Sequence, residues 1–340
     1  MPQAVRPGTG KMRASVVIPT RNRAGMLDDC LCSLAQQTLP AHDFEVVVVD
    51  NGSTDDTQQV VARHRAGLQL RSVFEPEPGL HAGRHAGLRQ AISDVLVFAD
   101  DDIVAAPSWL TSIVQAFSDP AVALVGGNNL PLFDAPPPDW LQRWWETPAA
   151  HGRMLGHLSI LDFDQGRFEV DPNFIWGCNF SIRRQALLDA GGFHPDAMPT
   201  ERLRWRGDGE THVSEWIRRS GLRAVFHSGA SVQHRVPAAR MTPDYFAHRS
   251  YSQGISDSYT DIRRTGRIRM PISASTRQRI RTGIRRLQLH ARRTTDTVDA
   301  ELKKVQLGTL DAWQTGYDFH QNSVREDPAL FAWVMKENYL

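Results

Sequence analysis

Four short apolar runs in the first hundred residues, three of them ending in a polar cluster, constrain what this chain can fold into more than any other feature. They are ASVVIPT (14–20), FEVVVVD (44–50), LRSVFEP (70–76) and DVLVFAD (94–100). FEVVVVD is apolar almost throughout rather than alternating, as a strand covered on both faces must be. After the first run Met26, Leu27, Cys30, Leu31 and Leu34 recur at three- and four-residue spacing, the stripe of a helix lying on a sheet. TQQVVARHRAG supplies a second helical segment, entered through DNGSTDDT, whose Asn-Gly and Ser-Thr-Asp pieces are turn and capping material. In EPGLHAGRHAGLRQAI, Gly79, Gly83 and Gly87 allow a loop and helix to pack closely or to approach a ligand. Strands alternating with helices specify an α/β fold with a mostly parallel sheet covered on both faces. Ligands bind such sheets outside the carboxyl ends of the strands. Thr20-Arg21-Asn22, Asp50-Asn51-Gly52 and Asp100-Asp101-Asp102 are therefore expected to converge on one crevice.

The chain has 340 residues, 41% of them hydrophobic, and a formal net charge of +1. That is enough to bury a sizeable core in one large domain with an appendage, or in two domains. Near-neutral charge gives no overall attraction to nucleic acid or membrane, so the placement of charge matters more than its sum. Cys30, Cys32 and Cys178 make no even-numbered framework, and Cys30/Cys32 lacks the second pair of a zinc site; all three read as small core residues in a reducing compartment. No window approaches the roughly 18 apolar residues of a membrane span, and MPQAVRPGTGKMRA has no apolar segment of the signal-peptide kind. A cytoplasmic protein is expected.

The acidic triplet poses a chemical question. On an extended strand end the side chains of Asp100 and Asp102 share a face, and Asp101 points away. Two converging carboxylates repel unless a cation lies between them or one is protonated. A hard divalent ion, Mg²⁺ or Mn²⁺, resolves the repulsion, since such ions are held by one or two carboxylates together with substrate phosphates. The competing reading is a solvated acidic turn.

SVVIPTRNRAGMLDDCLCSLAQQT, FEVVVVDNGSTDDT, PGLHAGRHAGL and VLVFADDDIVAAPSWL, in that order, resemble the family 2 glycosyltransferases of the GT-A fold. WGCNFSIRRQALLDAGGF is similar to that family's acceptor-side segment, and GDGETHVSEWIRRSGLRAVFHSGASVQHRVP to its catalytic helix and following strand. The likeness covers about residues 13 to 240. It implies a metal-dependent, inverting transfer from a nucleotide sugar. Pro19, Thr20, Arg21, Asn22, Asp50, Asn51, Arg84, Asp100 and Asp101 would then hold the donor. Asp102 and His234 would bind the metal, and Trp176, Gly177, Cys178 and Asn179 would face the acceptor. Arg21 is a candidate for stacking on the base and Arg84 for the phosphates. Asn51 stands where many relatives carry a second Asp, and its side-chain oxygen can still accept an imide N–H. A histidine ligand tilts the metal toward Mn²⁺. Counting back from RRSG, Glu210 falls at the position of the family's catalytic Asp, with Gly209 replacing the usual preceding Glu; Asp208 is the alternative. Either would act as general base on an acceptor hydroxyl, or merely cap the helix whose buried stripe is Val213, Trp216 and Ile217.

Two further stretches carry expectations. Trp140, Trp144 and Trp145 in PPPDWLQRWWET would form one apolar helix face, for core packing or as a platform for sugar rings. From Arg263 to Arg293 there are eleven arginines and no acid, interleaved with Ile268, Ile280, Ile284, Leu287 and Leu289. That pattern suits a solvated face or docking on anionic lipid near a glycan or lipid-linked acceptor. Nucleic acid is not expected, because nothing aromatic or Gly-rich accompanies the arginines. The division expected is a catalytic domain over 1–240, with nucleotide-binding and acceptor halves meeting near 125, and a helical region over 241–340 that folds back or dimerises. Two other functions share the sheet and the acidic site. A sugar nucleotidyltransferase should carry a Gly-rich triphosphate loop, of which IPTRNRAG is a poor version. A non-catalytic nucleotide-sugar or glycan-binding module would account for Gly209 and Asn51.

Overall fold

The computed structural model describes residues 12–268, 277–291 and 294–340. The β-branched runs form Ala14–Thr20 (β1), Phe44–Asp50 (β2), Leu70–Phe74 (β3) and Val95–Ala99 (β4), paired in parallel in the order β4-β1-β2-β3. Between them lie Ala24–Ala35 (α1), Thr57–His64 (α2) and Leu80–Gln90 (α3). Every residue of β1 and β2 is buried. Val16, Ile18, Val46 and Val48 share a core with Leu27 and Leu31 of α1 and Val60 of α2, whereas Val17, Val47 and Val49 meet Ala86 and Leu88 of α3 on the other face. This two-sided cover is why the runs need not alternate. A Cβ at Gly87 would stand 2.2 Å from Val17 Cγ1, and one at Gly83 2.5 Å from Asn51 Oδ1, so α3 lies against β1 at a spacing that other residues would widen.

Beyond β4 come Ile103–Ala105 (β5), Trp109–Ala116 (α4), Val122–Gly126 (β6), Asn129–Phe133 (β7), Asp139–Trp145 (α5), Pro148–Ala149 (β8), Gly152–Leu155 (β9), Ile160–Phe163 (β10), Arg167–Glu169 (β11), Asn179–Arg183 (β12), Arg184–Asp189 (α6), Thr211–Ser220 (α7), Arg223–His227 (β13) and Val232–Val236 (β14). Antiparallel β12 sits between β4 and β6, completing an eight-stranded sheet ordered β11-β13-β6-β12-β4-β1-β2-β3. A six-stranded sheet, β5-β14-β7-β10-β9-β8, carries the rest. Within it β14 runs antiparallel to β5 and pairs His234 with Ile103, which brings the histidine beside the acidic triplet.

The C-terminal part is helical: Pro243–Thr265 (α8), Arg277–Ala291 (α9), Thr297–Glu326 (α10) and Pro328–Val334 (α11). Thr242, Asp296 and Asp327 cap α8, α10 and α11 through their side chains. The tail folds back on the sheet domain: Trp333 Nε1 donates to the Trp205 carbonyl at 3.1 Å and Tyr339 N to the Gly191 carbonyl at 3.2 Å, while Tyr259 of α8 donates to the Tyr339 hydroxyl at 2.8 Å. The helices α8 and α10 cross at glycines, with a Cβ at Gly316 falling 2.0 Å from the Tyr251 carbonyl oxygen and one at Gly254 2.1 Å from that of Trp313. Gly316→Val is therefore expected to lower Tm, since overpacking costs roughly 1–3 kcal/mol. Thermal unfolding followed by circular dichroism checks it, and an unchanged Tm would show that the axes can part freely.

Some expectations are corrected. Cys30 and Cys178 are buried but Cys32 is exposed on the outer side of α1. Trp140 and Trp145 enter the core, while Trp144 stays half-buried, because three tryptophans at these spacings cannot all face inward from one short helix. Of the basic stretch, 269–276 and 292–293 lie outside the described residues, as do the side chains of 277–282, Ile280 among them. Arg286 pairs with Asp311 of α10, while Ile284 and Leu287 face outward. Among the described residues no helix is long and apolar enough to cross a membrane.

Candidate active site

A cavity of about 490 Å³ opens at the carboxyl ends of β1, β2 and β4. Pro19, Thr20, Arg21, Asn51, Arg84 and the whole acidic triplet line it, and Gly177, Cys178, Glu210 and His234 face them. The three strand ends thus meet, as parallel strands in register require. Asn22 and Asp50 are not in the lining. Asn22, at φ +54°, accepts from Thr54 N at 2.7 Å, and Asp50 accepts from Ser53 N at 2.7 Å and Gln58 Nε2 at 2.6 Å. Both hold the loop after β2 in shape. Asn51 donates its amide hydrogens to the carbonyls of Glu75 and Glu77 at 3.2 Å each, leaving its own carbonyl oxygen beside Gly83. Asn179 is also outside, accepting from Trp109 Nε1 and donating to the Ala230 carbonyl, both at 2.9 Å.

The triplet divides as its alternation predicts, although the strand itself ends at Ala99. Asp101 turns away to Thr20 Oγ1 at 2.7 Å and Arg23 at 2.9 Å. Burial outweighs both partners and pushes its carboxyl up to about 6. Asp100 and Asp102 converge with His234, one ligand-type atom from each lying within 4.8 Å of the others. Burial raises the Asp100 carboxyl against the pull of Arg84. Burial pushes Asp102 up as well, but His234, Arg240 and Arg23 outweigh it and hold the carboxyl below its ordinary range. Arg240 stands 3.0 Å from Asp102 Oδ2 and Arg23 3.5 Å. His234 Nε2 is 3.3 Å from Asp102 Oδ1 without hydrogen-bond alignment, and Asp100 Oδ1, Asp102 Oδ1 and His234 Nδ1 are all buried with no hydrogen-bond partner. Buried polar atoms left in that condition are costly, and an oxygen-and-imidazole set of this kind suits a divalent cation.

Across the cavity Arg84 forms a buried crossbar. Its guanidinium donates to the Gly177 carbonyl at 3.0 Å, lies 3.4 Å from Glu210 Oε2 and 3.6 Å from Asp100 Oδ1, and rests on the Phe193 ring with 5.1 Å to the centroid. Glu210 is the residue before α7, yet its carboxylate does not cap the helix. It accepts from Gly177 N at 3.0 Å and keeps a quarter of its side-chain surface open. Asp208 is sealed away from the cavity, accepting from His194 Nδ1 at 2.7 Å and Thr260 Oγ1 at 2.6 Å. Burial raises its carboxyl, but His194 and Thr260 bring it below the usual range. Trp176 does not line this cavity but a second one that shares Ser159, Glu210 and Arg249 with it.

Arg23 and Arg240 were not among the residues singled out from sequence. Arg23 lies two positions after Arg21 in the same RNR stretch, and Arg240 sits on a short turn after β14, where the composition changes. Neither position has a local signal; the folded chain selects them.

Residues 15–189 match the family model described as Glycosyl transferase family 2, and the chain belongs to that family. It is 34% identical over 198 residues to validoxylamine A glucosyltransferase of Streptomyces hygroscopicus subsp. jinggangensis, covering 54% of this chain and 47% of that protein. It is 27% identical over 267 residues to pre-mycofactocin glycosyltransferase of Mycobacterium tuberculosis, covering 70% and 50%. The chain thus spans about half the length of the curated relatives it matches. Among solved structures it is similar to the mannosyltransferase PcManGT from Pyrobaculum calidifontis, in complex with GDP-Man and Mn²⁺, with a TM-score of 0.50 and 18% identity over 98% of this chain and 88% of that one. That likeness is one of fold, the GT-A architecture.

Proposed function

We propose that this chain transfers a glycosyl group from a nucleoside-diphosphate sugar to an acceptor hydroxyl by a single, inverting displacement. The observation that carries the reading is a single cavity in which the Asp100, Asp102 and His234 cluster faces the partly open carboxylate of Glu210, while Asp196 in the same lining is paired with Arg206. The acceptor oxygen forms a bond to the anomeric carbon and gives its proton to Glu210. The bond from that carbon to the diphosphate oxygen breaks, and the nucleoside diphosphate leaves with the electron pair. Gly177 N and Arg84 orient Glu210 for the proton, and such positioning is where much of the acceleration arises. The Asn51 carbonyl oxygen is the acceptor for a base N–H, and Arg21 covers the cavity rim. Asp100, Asp102 and His234 would hold Mn²⁺ in preference to Mg²⁺, which when bound neutralises charge on the diphosphate. Asp208, already committed to His194 and Thr260, keeps the segment before α7 in place.

The test is a thermal-shift screen of UDP-, dTDP- and GDP-sugars with Mn²⁺, Mg²⁺ or EDTA on the wild type and Asp102→Ala. Stabilisation by one nucleotide class, needing metal and lost in the variant, is expected; at a hundredfold excess over Kd it amounts to about 2.7 kcal/mol. Stabilisation indifferent to EDTA, or none at all, would overturn the donor site.

A further inference from the structure

Glu210 stands between two cavities. The second, of about 530 Å³, is walled by α5, the start of α7, α8, α9 and α10, and the donor site makes no use of it. We infer that this cavity is the acceptor subsite and that it takes a compact, hydroxyl-rich ring compound, a free mono- or disaccharide or a cyclitol, rather than a polymer or a lipid-held chain. The inference rests on Glu210 acting as the base proposed above.

Size comes first. Small-molecule sites fall at roughly 300–1,000 Å³, and here residues of five helices, Arg285 and Leu289 of α9 among them, together with the segments at 156–159 and 173–176, line a half-open recess at whose wall Gln253 is exposed. A recess of that volume holds one or two rings rather than an extended polymer segment. The lining chemistry then narrows the class. Trp144, Trp176 and Trp313 present ring surface, and two of them are fixed by their indole N–H groups: Trp313 donates to Asp257 Oδ2 at 2.8 Å and Trp176 to the Asn173 carbonyl at 3.1 Å. Fixed aromatic faces suit the C–H face of a ring while leaving hydroxyls to the rim. Polar groups in the same wall are unsatisfied: Gln306 Oε1 is buried without a hydrogen-bond partner, and so is Nε of Arg249, a residue that also borders the donor cavity. Each such group costs about 1–3 kcal/mol. A hydrocarbon chain would leave both unpaired, whereas hydroxyls accept from Arg249 and donate to Gln306. Among the described lining residues, Arg249 and Arg285 stand with Asp257 and Glu210. The tryptophan at 144, which sequence spacing places on one face with two core tryptophans, is thus the one left for a ligand.

The experiment uses the full chain and the donor found by nucleotide screening. Transfer is measured to free glucose, maltose, trehalose and myo-inositol, to a soluble glucan, and to an undecaprenyl-phosphate-linked sugar in phospholipid vesicles. Two variants accompany the wild type. Gln253→Trp fills the cavity from a position already exposed at its wall, so that it tolerates bulk, and Gln306→Leu removes the unpaired carbonyl at similar size. Transfer to at least one free compound is expected, with acceptor KM raised at least about tenfold, or 1.4 kcal/mol, in each variant while the metal-dependent nucleotide thermal shift is retained. An intact nucleotide shift with transfer only to glucan or vesicle acceptors, or to none of the free compounds, overturns the inference; so does an acceptor KM that neither variant moves. Absence of a nucleotide shift in the wild type is a different failure, which removes the donor reading and the acceptor inference with it.

Discussion

Glu210→Gln is expected to lower kcat by roughly 10²- to 10⁴-fold, the range over which a positioned general base contributes, while nucleotide binding persists. The amide keeps an oxygen for Gly177 N, which lies 3.0 Å from Glu210 Oε1, so the segment before α7 retains its shape. What is lost is the group proposed to take the acceptor proton. Steady-state kinetics beside the nucleotide thermal shift separate the two effects. A variant that turns over at the wild-type rate would point to a binding module on a glycosyltransferase fold, or to another base. Asp208→Asn is the informative companion. Its carboxylate is buried against His194 and Thr260, so the change should lower stability and leave the ratio of donor to acceptor KM as it was.

The largest stability effect is expected at Arg84. Its side chain is 2% exposed and pairs with Glu210 and Asp100 while donating to the Gly177 carbonyl. Arg84→Met fills most of the space but leaves two carboxylates facing each other across the cavity and a carbonyl without its donor. Removing one member of a buried ionic set costs about 3–5 kcal/mol, because what remains is uncompensated charge and not merely a lost attraction. Urea unfolding of the metal-free protein measures it. A loss below about 1 kcal/mol, the worth of a surface pair, would mean that water reaches Asp100 and Glu210 freely. In the presence of a divalent cation and nucleotide the deficit should shrink, since Asp100 then regains a positive neighbour.

The halves of the molecule differ in how far they could be read from residue order. The strands β1, β2 and β4 are runs of Val, Ile, Phe and Ala whose neighbours in sequence are the helices that cover them, so pattern and fold coincide locally. Their polar ends meet because parallel strands in register end together, and this is why Thr20, Asn51 and the triplet reach one cavity. The partners that give those groups their electrostatics are another matter. Arg84 meets Glu210 across 126 positions, and Arg240 meets Asp102 across 138. Whether Arg21 or Arg23 turns inward depends on the backbone just after β1, where Asn22 takes a positive φ; side-chain type cannot distinguish two arginines. Asp50 and Asn22 show the converse error. They are the right residue types at the right strand end, but turn hydrogen bonds use their oxygens first. Asp208 and Glu210 are equally acidic and two residues apart, and only the packing of His194 and Thr260 separates their fates.

The glycine crossing of α8 and α10 has a consequence beyond packing. Gln253 adjoins Gly254 and Trp313 lies one turn before Gly316, and both side chains belong to the cavity beyond Glu210. The distance between two helix axes therefore acts as a calliper on the width of that cavity, and it is set by two glycines that are not in its lining. A single methyl at the crossing would re-gauge this compartment, and Tyr245 and Arg249 of α8, which border the cavity at the strand ends, are the residues through which the change would be felt there.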